Sequence, residues 1–568
     1  MEGYLEDLRA RQEKVRPAGT PREVVYPLEE ISIPAHVAYW AAQRGQRPAI
    51  VFEGRTVTYA ELDDLAARLS GWLDSIGVRA GDRVGVYLPN CPQFVVAMLA
   101  VLRLGAVHVP INPMFQAAEL AHELDDSGAE VVIALDALVP TLDPVRVRHV
   151  LVTRADEMAS PDGGADVPDG SSGPVAAPDG TTAWAEAIAH VPVPERPADL
   201  DALAALNYTG GTTGLPKGCE HTQRHMLYTA ASSAGAIRAS ADGRMVALCY
   251  IPIFWIAGED LGILNPLVLG GTSVLMSRWD PAQVLRLIER HRVSIMVGTV
   301  ENYLELLDQT GFAECDLASL THPLAVSFVR KLSPDVRRLW ADAVGPHSVL
   351  REAAYGMTET HTFDVTPYGF DDADRDLLAE PVFCGVPVPG TDVAVMSWQT
   401  GEPVPLGEIG EIVVRSPSVM TGYWRNPDAT AQQLRDGWLH TGDNGRFDAD
   451  GCLSYLGRDK DMIKVKGMSV FPAEVEMLLA RHPGVRTVAV VPADDAEKGQ
   501  VPVAFVSTES GSEATAEDLR AWAKQNMAPY KVPLIEIVAD FPMTTTGKIR
   551  KAELQERASR LASVSKLG

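Results

Sequence analysis

Cysteine is scarce and scattered. Six residues, Cys91, Cys219, Cys249, Cys315, Cys384 and Cys452, are spread over 568 positions, and the nearest two stand thirty apart. That spacing excludes a CxxC metal clip and supports no disulfide framework. Long apolar runs are missing as well; none approaches the roughly 20 residues that a membrane-spanning helix needs. The first residues, Met1-Glu2-Gly3-Tyr4-Leu5-Glu6-Asp7, are acidic and carry no apolar signal segment. Basic residues are outnumbered, 50 Lys and Arg against 75 Asp and Glu, for a formal charge of −25. Such a surface repels nucleic acid and anionic lipid at long range. The expectation is a cytoplasmic protein with reduced cysteines, no nucleic-acid partner and no membrane span. Nothing here decides for or against a homo-oligomer.

Apolar residues, by contrast, make up 46 % of the chain, enough for more than one core in a chain too long for a single one. Short strands are expected at 49–53 and 56–59, with Glu53-Gly54 as the turn between them. The spacing of Leu62, Leu65, Leu69 and Leu73 predicts a helix over 60–76 that ends at Gly77. A buried strand at 84–88, a helix at 94–104 and a strand at 105–110 follow. Strand and helix alternate, which favours an α/β architecture with parallel sheet. Residues 160–182 are rich in Ser, Pro, Asp and Gly and read as a surface loop, after which 183–190 looks helical. A helix at 281–290 and a strand at 293–297 are expected further on. A second unit begins near Arg458, with strands at 488–491 and 501–506 and a helix at 516–525. We divide the chain into residues 1–459 and 460–568.

One segment stands out: Tyr208-Thr209-Gly210-Gly211-Thr212-Thr213-Gly214-Leu215-Pro216-Lys217-Gly218. Glycines let the backbone bring its N–H groups close to a ligand. Threonine hydroxyls add donors, and Lys217 adds a mobile positive charge. Together they suit a polyphosphate. The loop differs from the common Gly-Lys-Ser/Thr nucleotide loop, because Pro216 precedes the lysine and Gly218 follows it. A second constellation is Tyr355-Gly356-Met357-Thr358-Glu359-Thr360. There a tyrosine ring can stack on a purine, Thr358 can donate to a phosphate, and Glu359 can hold magnesium, which prefers hard oxygen ligands. A third, Trp438-Leu439-His440-Thr441-Gly442-Asp443, offers a carboxylate suited to ribose hydroxyls. Basic residues then cluster at Arg458, Lys460, Lys464 and Lys466, and Lys548 rises from a Thr-Gly turn near the C-terminus.

These strings resemble the adenylate-forming enzymes: acyl-CoA synthetases, luciferases and peptide-synthetase adenylation domains. Gly211-Thr212-Thr213-Gly214-Leu215-Pro216-Lys217-Gly218 is similar to their phosphate loop, and Tyr355–Thr360 to their (Y/F)GxTE motif. Trp438–Asp443 matches Trp-x-x-Thr-Gly-Asp, whose aspartate holds the ribose. Gly457–Gly467 looks like the motif whose arginine, here Arg458, also reaches the ribose, with Lys460 at the hinge position. Pro542–Lys551 resembles the last motif, whose lysine, here Lys548, reaches the α-phosphate and the carboxylate. The resemblance runs from about residue 25 to about residue 555. It implies a large N-terminal domain of layered α/β sheets with a small barrel-like part, and a small mobile α+β C-terminal domain. It further implies ATP, magnesium and coenzyme A, with Lys464, Lys466 and Gly467 turned toward the CoA thiol's tunnel and phosphates after a swivel at Lys460.

Two departures bear on the acid. Many relatives carry Pro-x-Phe-His before a glycine, whereas this chain has Pro252-Ile253-Phe254-Trp255-Ile256-Ala257-Gly258. Many also read Ser-Gly-Gly-Ala-x-Leu before the tyrosine motif, where this chain has Ser327-Phe328-Val329-Arg330-Lys331-Leu332. Side chains of that size reshape a cavity, so fatty-acid specificity does not carry over. The reading is ATP-dependent activation of a small-molecule acid and its transfer to CoA. Two alternatives keep the machinery: nitrite activation to diazotise an arylamine, and transfer to a carrier protein.

Overall fold

A computed structural model describes the whole chain except residues 144–145, 161–177, 210–214, 240–243, 328–329, 380–381, 467, 496–497, 545–547 and 565–568. The helix Pro92–Arg103 sits at its centre, and every one of its residues is buried. Its sequence is apolar on all sides, so no face of it can meet water. It packs with the helix Tyr59–Ser75 in one large core shared by two sheets. Ile50 and Phe52 come from one sheet, Val84, Val86 and Ile133 from the other. Tyr59–Ser75 starts where the Thr58 hydroxyl accepts the Glu61 N–H.

The first sheet runs Arg351–Glu352, His322–Val326, Ile295–Thr299, Val246–Cys249, Thr272–Leu275, Pro48–Phe52, Arg55–Thr58 in space. The second runs Thr182–Ala183, His149–Thr153, Val131–Leu135, Arg83–Tyr87, Val107–Pro110, Leu203–Tyr208, Gly218–Thr222. Both are parallel apart from one edge hairpin each. The expected α/β layering is therefore present. A third, antiparallel sheet is built between Val365 and Arg458. A fourth sheet, Ile463–Val465, Met468–Val470, Val485–Asp495, Gly499–Thr508 and Leu534–Ile537, packs helices Pro472–Ala480 and Ala516–Asn526 around its own core.

Two expectations shift. The helix at 183–190 shrinks to Trp184–Ala187, because Thr182–Ala183 is drawn into the edge of the second sheet. The strand at 488–491 extends to Val485–Asp495, since it pairs along its length with Gly499–Thr508. Most of the low-complexity stretch at 160–182 lies outside the described residues. Among the described residues no helix is long and apolar enough to cross a membrane.

Candidate active site

The site lies where the edges of the first two sheets meet the antiparallel sheet. The strands Leu203–Tyr208 and Gly218–Thr222 pair antiparallel and bracket the glycine-rich loop. Its two ends are tied together: the Thr209 N–H donates to the Lys217 carbonyl at 3.0 Å, and the Lys217 N–H donates to Thr209 Oγ1 at 3.2 Å. Gly210, Gly211, Thr212, Thr213 and Gly214 lie outside the described residues. The Lys217 ammonium rests 3.9 Å above the ring centre of Tyr423, a cation–π contact. The Tyr423 hydroxyl in turn donates to Glu359 Oε1 at 2.7 Å. Lysine, aromatic ring and carboxylate thus form one connected group.

The Tyr355–Thr360 segment is a tight loop. A Cβ on Gly356 would fall 1.2 Å from the Thr362 carbonyl oxygen, so only glycine fits there. The chain doubles back through His361 and Thr362, at φ of 55° and 97°. Buried His221, on the edge strand, donates through Nε2 to the Thr358 carbonyl at 2.8 Å. That bond fixes the proton on Nε2 and ties the Tyr355–Thr360 loop to the edge strand Gly218–Thr222. Tyr355 was expected to offer a stacking face; its hydroxyl donates to Asp443 Oδ2 at 2.7 Å and its ring leans on Tyr455.

Asp443 stands opposite Arg458 in the pairing of Trp438–Phe447 with Leu453–Arg458. Arg458 Nε lies 3.5 Å from Asp443 Oδ1, too far for a hydrogen bond. Oδ1 is buried and accepts no hydrogen bond among the described residues. Burial raises the pKa of this carboxyl, and it does so despite the Tyr355 hydrogen bond and the Arg458 charge, which oppose it. A buried acceptor without a donor suits a ligand hydroxyl.

Lys548 belongs to the C-terminal unit, yet Arg458 is close enough to lower its pKa, behind the larger effect of desolvation. Lys548 is itself exposed to water. Its N–H donates to Thr544 Oγ1 at 3.0 Å, which shapes the turn; 545–547 lie outside the described residues. Lys460 is exposed in the single turn Asp459–Asp461. Lys464 and Lys466 are exposed on a hairpin whose Ile463 and Val465 point inward, and the Lys464 ammonium donates to Ser469 Oγ. Met357 packs against the cluster of Cys219, Met420, Tyr423 and Leu439. Phe254 is buried in the central core with Trp255 edge-on against it, and Gly258 leaves no room for a Cβ, which would fall 2.2 Å from the Pro252 carbonyl oxygen. Gly467, Phe328 and Val329 lie outside the described residues.

Family models place this arrangement. That of the AMP-binding enzymes matches residues 37–424, and that of their C-terminal domain matches residues 474–548. The chain belongs to the AMP-binding enzyme family. It is 35 % identical to the feruloyl-CoA synthase of Amycolatopsis sp., over 90 % of this chain and 95 % of that one. It is 32 % identical to a long-chain-fatty-acid–CoA ligase of Bacillus subtilis, over 95 % and 96 %. Among solved structures it superposes on the anthranilate CoA ligase AuaEII in complex with anthranoyl-AMP with a TM-score of 0.79 and 25 % identity, over 94 % and 98 % of the two chains. ATP-bound MatB from Rhodopseudomonas palustris gives 0.78 and 26 %, over 94 % and 100 %.

Two residues of this AMP-binding enzyme escaped the sequence reading. Tyr423 lies in Gly422-Tyr423-Trp424-Arg425, an aromatic pair between motifs that was the one available signal. His221 carried none, because an isolated histidine on a strand looks like any core residue. The donor set fits magnesium in a limited sense. Glu359 is only half-buried and supplies one hard carboxylate, so the remaining ligands would be phosphate oxygens and water. Among the described residues no group of three or more His, Cys, Asp or Glu side chains is arranged to hold a metal ion by itself.

Proposed function

We propose that this AMP-binding enzyme is an acid–CoA ligase that forms AMP. The acid carboxylate attacks the α-phosphorus of ATP, the bond to the bridging oxygen breaks, and pyrophosphate leaves. The CoA thiolate then attacks the acyl carbon, forming a thioester and releasing AMP. A carboxylate is a poor electrophile because its charge repels nucleophiles and its oxygen leaves badly. Joining it to AMP removes the first obstacle and supplies a good leaving group. The protein's task is therefore positioning and charge stabilisation.

The observation that carries this reading is the buried Asp443 Oδ1, ion-paired with Arg458 but accepting no hydrogen bond among the described residues, within one hydrogen-bonded system with Tyr355. Asp443 and Arg458 hold the ribose. Lys548 offsets charge on the α-phosphate and the carboxylate, and Thr358 orients that phosphate. Thr209 and Lys217, at the ends of their loop, hold the departing pyrophosphate. Glu359 would hold magnesium, which when bound offsets phosphate charge. After adenylation the unit beyond residue 459 swivels at Lys460, withdraws Lys548 and brings the hairpin of Lys464 and Lys466 to the CoA phosphates. The CoA-ligase relatives favour this reading over nitrite activation and over carrier-protein transfer.

A pyrophosphate-release screen over aryl, alkyl and small acids, with and without CoA, tests it. Acid-dependent pyrophosphate and CoA-dependent thioester are expected. Nitrite with an arylamine forms a separate arm, and turnover confined to that arm would replace the acid reading.

A further inference from the structure

An ion pair joins the two units of the chain. Arg330 Nη2 lies 2.8 Å from Glu509 Oε1, and both side chains are partly exposed. Arg330 belongs to the loop after the strand His322–Val326 of the first sheet, and Glu509 follows the strand Gly499–Thr508 of the fourth. Both backbones are fixed. The Arg330 N–H donates at 2.9 Å to Glu301 Oε1, on the helix Val300–Leu307. The Glu509 N–H donates to the Gly484 carbonyl at 3.1 Å, and the Glu509 carbonyl accepts from the Ser512 N–H at 3.0 Å. The pair therefore has only two side chains left to order.

Other contacts cross between the units near by. Arg481 Nη2 donates to the Leu378 carbonyl at 3.3 Å, and the helix Pro472–Ala480 packs against the strand Leu453–Arg458. The Lys551 ammonium pairs with Glu476 Oε1 of that helix at 2.6 Å. The segment that carries Lys548 is thus tied to a helix that rests on the strand ending at Arg458. A salt bridge needs its charged atoms within about 4 Å. The proposed swivel at Lys460 carries Glu509 away with the C-terminal unit and leaves Arg330 behind. The pair belongs to the arrangement in which Lys548 stands near Arg458, and its energy counts toward that arrangement alone. Arg330 is also the fourth residue of Ser327–Leu332, where many relatives read alanine. A methyl group cannot make the pair.

We propose that the Arg330–Glu509 pair is a latch: it positions the C-terminal unit, and Lys548 with it, for adenylate formation, and it opens before CoA is engaged. The inference rests on the two-step reading and the swivel above, and adds the contact that sets the balance between the steps. A partly exposed pair shifts such an equilibrium by about fivefold at most. That is enough to bias the enzyme toward its first step and weak enough to break in every cycle. Arg330 and Glu509 are positioning residues, acting through the placement of Lys548.

The test uses the full-length protein and two probes that need no acid: ATP with magnesium, and CoA in the presence of saturating AMP, each titrated by calorimetry. ATP affinity should fall by about twofold to fivefold in Arg330→Gln and in Glu509→Gln, because the latched arrangement completes the ATP site. CoA affinity should rise by a similar factor, because the other arrangement receives CoA. The exchange of Arg330→Glu with Glu509→Arg should return both affinities toward wild type. General damage to the fold would weaken both ligands together, so opposite movement is the signature. Loss of both affinities, no change in either, or an effect of Arg330→Gln that Glu509→Gln does not share would overturn the latch. Wild type that fails to bind ATP or CoA would instead overturn the two-step reading, and this inference with it.

Discussion

Arg458 faces Asp443 across an antiparallel strand pair, its Nε 3.5 Å from Asp443 Oδ1, although fifteen residues separate them in sequence. The register of one hairpin thus sets a cation beside a buried acceptor that receives no hydrogen bond among the described residues. A hydrogen bond to a charged group is worth about 1.5–3 kcal/mol, so the Asp443→Ala enzyme should need at least about tenfold more ATP for half-maximal rate. Its stability should change little, because the substitution deletes a buried carboxylate that is incompletely satisfied. ATP saturation curves and a thermal melt check both halves; an unaltered KM for ATP would take the ribose role away from Asp443.

Tyr423 joins two groups that the sequence kept far apart. Its ring lies under the Lys217 ammonium and its hydroxyl reaches Glu359. Tyr423→Phe keeps the ring and deletes the donor that orients the carboxylate. The magnesium concentration for half-maximal activity should rise about tenfold, the usual scale for losing a group that orients a metal ligand. Tyr423→Leu should add a rise in KM for ATP, since Lys217 then loses its resting place. Magnesium titrations at fixed ATP separate the two variants. An identical magnesium requirement in wild type and Tyr423→Phe would mean that the hydroxyl only packs.

How far the fold and the site could be read in advance follows from the range of the forces involved. Local signals were legible: the spacing of Leu62, Leu65, Leu69 and Leu73 marked the helix Tyr59–Ser75, and the apolar run at 94–104 marked the helix Pro92–Arg103. The glycine-rich loop, Glu359, Asp443 and Lys548 could be picked out as candidates because each stands in a contiguous string of distinctive residue types. The links between strings were not. Nothing in the order of residues says that Tyr355 will spend its hydroxyl on Asp443, or that His221 will hold the Thr358 carbonyl. Those bonds depend on where sheet edges meet, which tertiary packing decides.

His108 makes stability depend on pH away from the site. It is fully buried beside the Phe94 ring, both ring nitrogens lack partners among the described residues, and desolvation lowers its pKa to about 3. The folded state therefore resists protonating it, whereas the unfolded chain protonates near pH 6.5. Its contribution is fully present above about 6.5 and is lost as pH falls from there toward about 3. His108→Phe should flatten that part of the stability profile by a few kcal/mol, on the scale of about 1.4 kcal/mol per pKa unit. Urea unfolding of both proteins at pH 7 and at mildly acid pH measures it. Parallel profiles would show that the imidazole gains water or a partner in the folded state.

Lys548 offers a way to test the two proposed half-reactions apart. If it serves only the first, Lys548→Ala should lose adenylate formation by about a hundredfold or more, roughly 3 kcal/mol of barrier, and still convert supplied acyl-AMP and CoA to thioester. The charge of the residue gives a second handle. Desolvation and the nearby Arg458 lower its pKa from the ordinary 10.5, so the ammonium is lost as pH rises through that lowered value. Adenylation should accordingly fall on the alkaline side before an ordinary lysine would titrate, and thioester formation from acyl-AMP should not share that limb. Half-reactions measured across alkaline pH in wild type and variant test both statements. Equal losses in the two halves would make Lys548 a structural cation of the C-terminal unit, because the proposed swivel would withdraw it before the second step.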